Sequence, residues 1–183
     1  MIIQFCGLSG SGKTTLAGRI HCLLKERNIA AEILDGDVYR KIFYAGLGFS
    51  REERSSHIRH LAFLAGRFSE HHIISIISAI NPFENIRREV ALRYPFVKTV
   101  FIDCPVAVLM TRDTKNLYKK AMLPDDHPDK IFNLSGVNDP FEAPGNPDLV
   151  IKTDTESVET SSGRLLQFIL LHYTTPRSVP LSF

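Results

Sequence analysis

The octet Gly7-Leu8-Ser9-Gly10-Ser11-Gly12-Lys13-Thr14 constrains this chain more than any other stretch. It satisfies G-x-x-x-x-G-K-[ST] at every fixed position, and Thr15 adds a second hydroxyl. The apolar run Ile2–Cys6 precedes it. An amphipathic pattern over 14–27 follows, with Leu16, Ile20, Leu23 and Leu24 on one face and Lys25, Glu26 and Arg27 closing it. Strand, loop and helix in that order make the pattern a phosphate cradle, or P-loop; an accidental Gly/Ser turn lacks the flanking elements. Glycines let backbone N–H groups converge on phosphate oxygens, and the helix N-terminus adds partial positive charge. Lys13 is placed to reach the outer phosphates of a nucleotide, and the Thr14 hydroxyl to hold Mg²⁺. The candidate nucleotide-binding residues are therefore Gly7, Ser9, Gly10, Ser11, Gly12, Lys13, Thr14 and Thr15.

Further apolar runs at Ala31–Leu34, Ile73–Ile77, Thr99–Ile102 and Leu149–Ile151 read as buried strands. Helical patterns lie between them: 51–69 groups Ile58, Leu61, Ala62 and Ala65, and 158–172 groups Leu165, Leu166, Ile169 and Leu170. Strands alternating with helices predict an α/β fold with a parallel sheet covered on both faces. A length of 183 residues predicts one domain, over 1–173, with 174–183 as a mobile tail. The proline-rich stretch 122–148 has few periodic apolar residues and reads as a functional loop. Lys+Arg 22 against Asp+Glu 20 leaves a net charge of +2, too small for a nucleic-acid scaffold. No apolar run reaches ~18 residues, so no membrane span is expected. Three scattered cysteines and an N-terminus without a signal pattern predict a cytoplasmic protein without disulfides.

The Asp35-Gly36-Asp37 sequence directly follows the second strand. Ligands bind at the C-terminal ends of parallel strands, so these carboxylates face the cradle. One can serve Mg²⁺ through its water shell, and the other can accept a hydroxyl proton. A polar turn with Gly36 at positive φ is the alternative. Arg40 and Arg54 lie on or near the next helices, as does Arg59, and can grip phosphate or sulfate, although a solvated helical face explains any single arginine as well. Arg112 and Lys115 follow the fourth strand, where a lid would fold onto a nucleotide. His57, His60, His71 and His72 lie on separate elements and read as ordinary surface or core histidines.

In combination these residues resemble the adenylylsulfate kinase (APS kinase) family of P-loop kinases over residues 4–151. The resemblance rests on 7–15, on Asp-Gly-Asp-Val-Tyr-Arg at 35–40, and on Leu-Gly-Phe-Ser at 47–50. It also rests on Arg54, Ile58-Arg59, Lys115-Asn-Leu-Tyr-Lys-Lys-Ala121, Asn138-Asp-Pro-Phe-Glu-Ala-Pro144 and Pro147-Asp-Leu-Val-Ile151. It implies a P-loop kinase-type three-layer sandwich, with a five-stranded parallel sheet of order 2-3-1-4-5 and a lid over about 117–146. It implies ATP as donor, with Mg²⁺, and transfer to the 3′-hydroxyl of adenosine 5′-phosphosulfate in sulfate activation. Lys13, Asp35 and Asp37 would be catalytic, and Arg112 and Lys115 would join the ATP site. Asp37, Arg40, Phe49, Arg54, His57, Asn81 and Leu134 would form the acceptor site. The resemblance also points to a homodimer.

Some positions depart from the family pattern: His57 stands for Asn, Asn81-Pro82-Phe83-Glu84 for Ser-Pro-Tyr-Arg, and Leu134-Ser135-Gly136-Val137 for Phe-Thr-Gly-Ile, so that Leu134 replaces a base-stacking Phe. All lie on the acceptor side. A related kinase acting on another nucleotide, such as cytidine diphosphoramidate, is therefore the second reading. A non-catalytic nucleotide-binding module is the third, opposed by intact Lys13, Thr14, Asp35 and Asp37.

Overall fold

The computed structural model describes residues 1–43, 46 and 48–173; the expected tail, 174–183, lies outside them. Its strands are β1 (Ile2–Cys6), β2 (Ala31–Asp35), β3 (Ile74–Ser78), β4 (Val97–Asp103) and β5 (Leu149–Lys152). They form one parallel sheet in the order β2-β3-β1-β4-β5, as expected. The helices are α1 (Lys13–Lys25), α2 (Gly36–Phe43), α3 (Arg51–Glu70), α4 (Glu84–Arg93), α5 (Val106–Arg112), α6 (Leu117–Ala121) and α7 (Val158–His172). Among the described residues no helix is long and apolar enough to cross a membrane.

The two-residue period of β1 divides the layers. Ile3 and Phe5 pack with Leu16 and Ile20 of α1 and Leu165 and Ile169 of α7. Ile2 packs on the opposite face with Ile58 and Leu61 of α3 and Ile86 and Val90 of α4. Burying each such side chain stabilises by about 1.5–3 kcal/mol. Gln4 is the polar exception on β1 and is wholly buried. Its Nε2 donates to the Arg87 carbonyl at 3.1 Å and to Thr99 Oγ1 at 2.9 Å, and its Oε1 accepts from Asn81 Nδ2 at 3.2 Å. Buried Arg87 in turn donates to the carbonyls of Asn81 and Glu142 and to the Glu84 carboxylate. These bonds satisfy buried polar groups that would otherwise destabilise the fold. They also pin the loop after β3 to the segment before β5.

The α3 N-terminus carries a capping box, in which Ser50 Oγ accepts from Glu53 N and the Glu53 carboxylate accepts from Ser50 N. The same carboxylate accepts from Gly48 N, which fixes the backbone on either side of Phe49. Residues 122–148 hold no helix or strand, only a bridge between Ser135 and Asp139. The apolar residues of this stretch are nonetheless anchored. Ile131, Leu134, Val137 and Phe141 pack against a cluster that includes Leu8, Leu109 and Tyr118. Their spacing follows no helix or strand period, so the pattern carried no signal of burial.

Candidate active site

The C-terminal ends of β1, β2, β3 and β4 deliver the candidate residues to one edge of the sheet. At the end of β1, a Cβ on Gly7 would lie 2.4 Å from the Ile102 carbonyl oxygen of β4, so only glycine passes. Gly12 has φ 93° and begins α1 without a side-chain cap, leaving the first-turn N–H groups directed at the loop. Two hydroxyls hold the loop from outside: Thr153 Oγ1 donates to Ser11 O at 2.9 Å, and Tyr118 Oη donates to Ser9 O at 2.8 Å. Lys13 Nζ donates to Leu8 O at 2.7 Å and to Ser11 Oγ at 3.4 Å. Burial lowers its pKa to about 8, against the opposing pull of Asp37.

Gly36 has no positive φ; it opens α2, which replaces the polar-turn alternative. A Cβ there would meet Ala79 Cβ at 3.0 Å, which accounts for the glycine. Asp35 Oδ1 accepts from the backbone N–H groups of Asp37 and Val38 and so caps α2, while Oδ2 accepts from Thr14 Oγ1 at 3.0 Å. Thr14 and Asp35 together offer only hard oxygen donors, a set that suits Mg²⁺. Asp37 Oδ2 accepts from Lys115 Nζ at 2.6 Å. Burial pushes the Asp37 carboxyl up, but the Lys115 bond and the neighbouring lysines outweigh it and hold the pKa below its usual value.

Ser9, Gly10, Gly12, Lys13, Thr14 and Thr15 line a cleft of about 760 Å³. Its other walls include Asp35, Asp37, Lys115 and Leu134, and also Arg40, Phe49 and Arg54. Phe49 is 47% exposed, with the Arg40 and Arg54 guanidiniums 4.9 and 5.3 Å from its ring centre. Arg40 donates to Gly48 O, and Arg54 to Phe49 O and Ser135 Oγ. Five cationic side chains (Lys13, Arg40, Lys41, Arg54, Lys115) face two carboxylates in the cleft, a balance that attracts polyanions.

His57 and Asn81 lie off the main cleft, in a smaller pocket that shares Arg40, Phe49 and Arg54 with it. The His57 ring is held neutral, its pKa lowered to about 4 by burial and by the charge of Arg40. Its Nε2 meets the Gly36 carbonyl at 3.0 Å. Arg112 does not line the cleft; it donates to Thr153 O. Sequence reasoning missed Ser78, Lys41, Thr114 and Thr153. Ser78 and Thr153 stand at strand ends, which could have marked them. No group of three metal-ligating His, Cys, Asp or Glu side chains occurs among the described residues.

A parallel sheet of this order, with a phosphate cradle and paired carboxylates at its C-terminal edge, defines a P-loop phosphotransferase. The adenylylsulphate kinase family model matches residues 1–152. The adenylyl-sulfate kinase of Deinococcus deserti is 41% identical over 168 residues, covering 92% of this chain and 90% of the relative. That of Chloroflexus aurantiacus is 41% identical over 166 residues, covering 91% and 87%. The structure of the Mycobacterium tuberculosis APS kinase in complex with AMPPNP and APS superposes with a TM-score of 0.84 at 31% identity, covering 92% of this chain and 96% of that one. The chain belongs to the adenylylsulphate kinase family.

Proposed function

We propose that this chain transfers the γ-phosphoryl group of ATP to the 3′-hydroxyl of adenosine 5′-phosphosulfate. One observation carries the reading. A single cleft joins an intact phosphate cradle to an aromatic ring flanked by two guanidiniums, in a chain that superposes on a relative solved with an ATP analogue and APS. The cradle and Lys13 hold the ATP phosphates. Arg40 and Arg54 face the phosphosulfate, and Phe49 stacks on its base. His57 and Asn81 wall the acceptor's side, Leu134 gives the base an aliphatic contact, and Lys115 attends the nucleotide. The 3′-oxygen attacks the γ-phosphorus while the bond to the β–γ bridging oxygen breaks, its electron pair leaving with ADP. Asp37 receives the hydroxyl proton. Mg²⁺ would be held by Thr14 and, through water, by Asp35, and when bound it neutralises charge on the β- and γ-phosphates. A cytoplasmic homodimer completes the reading, and light scattering that gives a mass near 20.6 kDa overturns the dimer. The test of function is ADP release from ATP, with and without adenosine 5′-phosphosulfate. Release that the acceptor does not stimulate overturns the proposal.

Phe49→Ala is expected to raise the KM for the acceptor about tenfold or more while leaving that for ATP unchanged, because one base–aromatic stack is worth about 1–3 kcal/mol. Steady-state kinetics with each substrate varied decides it; an equal effect on both would remove Phe49 from the acceptor site.

The pKa of Lys13 sets a pH dependence. In the free protein Lys13 loses its proton near pH 8. Phosphates favour the charged form, so binding above that pH must restore a proton. ATP affinity is therefore full below about pH 8 and falls as pH rises through it, by up to about tenfold per unit. Calorimetry from pH 7 to 9.5 in buffers of different ionisation enthalpy reads both the affinity and the proton uptake. A flat affinity without uptake would contradict the assignment.

A further inference from the structure

The two hydroxyls that brace the cradle act on alternate peptides: Tyr118 Oη donates to Ser9 O, and Thr153 Oγ1 to Ser11 O. A trans peptide is planar, with its C=O and N–H pointing opposite ways. Neither Tyr118 nor Thr153 lines the cleft, whereas Gly10 and Gly12 do. Drawing the Ser9 and Ser11 carbonyls away from the cleft therefore turns the Gly10 and Gly12 N–H groups toward it. Gly10 and Gly12 have φ of 76° and 93°. Glycine adopts either sign of φ, so the freedom that lets these N–H groups converge also lets each peptide turn over. A turned peptide sets a carbonyl oxygen where phosphate oxygens must sit. The glycines permit both states, and the hydroxyls select one.

Among the described residues no other donor reaches Ser9 O or Ser11 O. Burial pushes the Tyr118 pKa up to about 12, so the phenol keeps the hydrogen it donates. The Asp113 carboxylate accepts from Tyr118 N and Lys119 N, which fixes the tyrosine at the start of α6. Thr153 Oγ1 also lies 3.3 Å from Asp103 O, but that carbonyl already accepts from Thr153 N at 3.0 Å, and Ser11 O is nearer at 2.9 Å. We propose that Tyr118 and Thr153 are positioning residues for ATP. From α6 and from the end of β5 they lock alternate peptides of the cradle with their N–H groups toward the phosphates, and so set ATP affinity without touching substrate. The inference rests on the reading above, in which the cradle holds the ATP phosphates. Loss of either bond leaves a carbonyl without its donor, and the peptide then divides between two orientations. Only one of them receives phosphate, so the apparent affinity falls with the fraction that remains competent.

The test measures ATP affinity of the full chain by calorimetry, and the KM of adenosine 5′-phosphosulfate by steady-state kinetics. Tyr118→Phe removes one oxygen and keeps the ring among Leu8, Leu109 and Leu134. Thr153→Val keeps the shape and removes the hydroxyl, and Thr153→Ser restores it. Tyr118→Phe and Thr153→Val should each weaken ATP binding about three- to tenfold, the factor that one ordinary hydrogen bond supplies, while the KM of the acceptor rises less. Thr153→Ser should bind ATP more tightly than Thr153→Val. A loss of ATP affinity below about threefold in either folded variant overturns the inference. A rise in the acceptor KM as large as the loss for ATP overturns it too, since general loosening acts on both substrates. So does a Thr153→Ser no better than Thr153→Val. If Tyr118→Phe does not fold, the two Thr153 variants decide by the same criteria. Absence of ATP binding by the wild type defeats the kinase reading as well, whereas tight binding that the variants share with the wild type defeats this inference alone.

Discussion

Lys13→Ala is expected to lower kcat/KM by about 10²–10³-fold and to leave the fold at least as stable as before. The first part follows from where the ammonium sits. Lys13 rises from the first turn of α1 into the cradle, and its Nζ donates to Leu8 O and Ser11 Oγ. Both are neutral acceptors, and Asp37 and Asp35 attract the charge from across the cleft until phosphate oxygens arrive. Preorganised charge aimed at a transferring group is worth about 2.7–4 kcal/mol, which is the stated range of rate. The second part follows from the pKa. A lysine whose pKa falls from 10.5 to about 8 on folding is penalised for carrying its charge in the folded state. That penalty is full below pH 8 and fades as pH rises toward 10.5. Alanine removes it, so thermal unfolding at pH 7 should show an unchanged or higher midpoint. The two measurements together separate a functional lysine from a structural one. A variant that keeps more than a tenth of the rate, or that melts earlier, would place Lys13 in the second category.

The cradle was legible because its chemistry is local. Eight consecutive residues fix the loop, and the strand and helix on either side confirm it without any distant contact. The strands were legible for the same reason: β1 matches its apolar run residue for residue, and β3 is displaced by one. Helix α4 gave little signal, because Ile86 and Val90 are its apolar contacts and the residues between them are largely charged. The acceptor side was legible as residue types but not as geometry. Asn81 meets Gln4 across 77 positions, His57 meets Gly36 across 21, and Arg87 meets Glu142 across 55. No window of sequence contains such a pair. Arg112 illustrates the limit, since a basic residue after β4 is what a nucleotide site calls for, yet its guanidinium is engaged with Thr153 O and Cys104 Sγ.

Asp37→Asn is expected to lower kcat about 10²-fold with little change in ATP affinity. Asp37 begins α2 beside the cleft, and its carboxylate makes one short charged contact, to Lys115. A positioned base contributes typically 10²–10⁴-fold, most when its pKa lies near the working pH. Here the Lys115 hydrogen bond and the surrounding lysines overcome the upward push of burial and hold the carboxyl below its ordinary value. A base this weak belongs at the lower end of that range. It still suffices, because a loose phosphoryl-transfer transition state asks little proton removal from the attacking hydroxyl. The amide keeps the shape and loses the charge, so ground-state binding of ATP should barely move while the transition state loses its proton acceptor. The lowered pKa also fixes the acid limb: the fall of kcat that comes from protonating this group should lie below the ordinary aspartate range. Lys115→Ala offers the converse, since removing the ion-pair partner raises the Asp37 pKa and moves that limb upward. Steady-state kinetics of both variants from pH 4 to 8 decide the matter. If Asp37→Asn keeps kcat and loses ATP affinity instead, the carboxylate belongs to nucleotide binding and the proton must leave by another route.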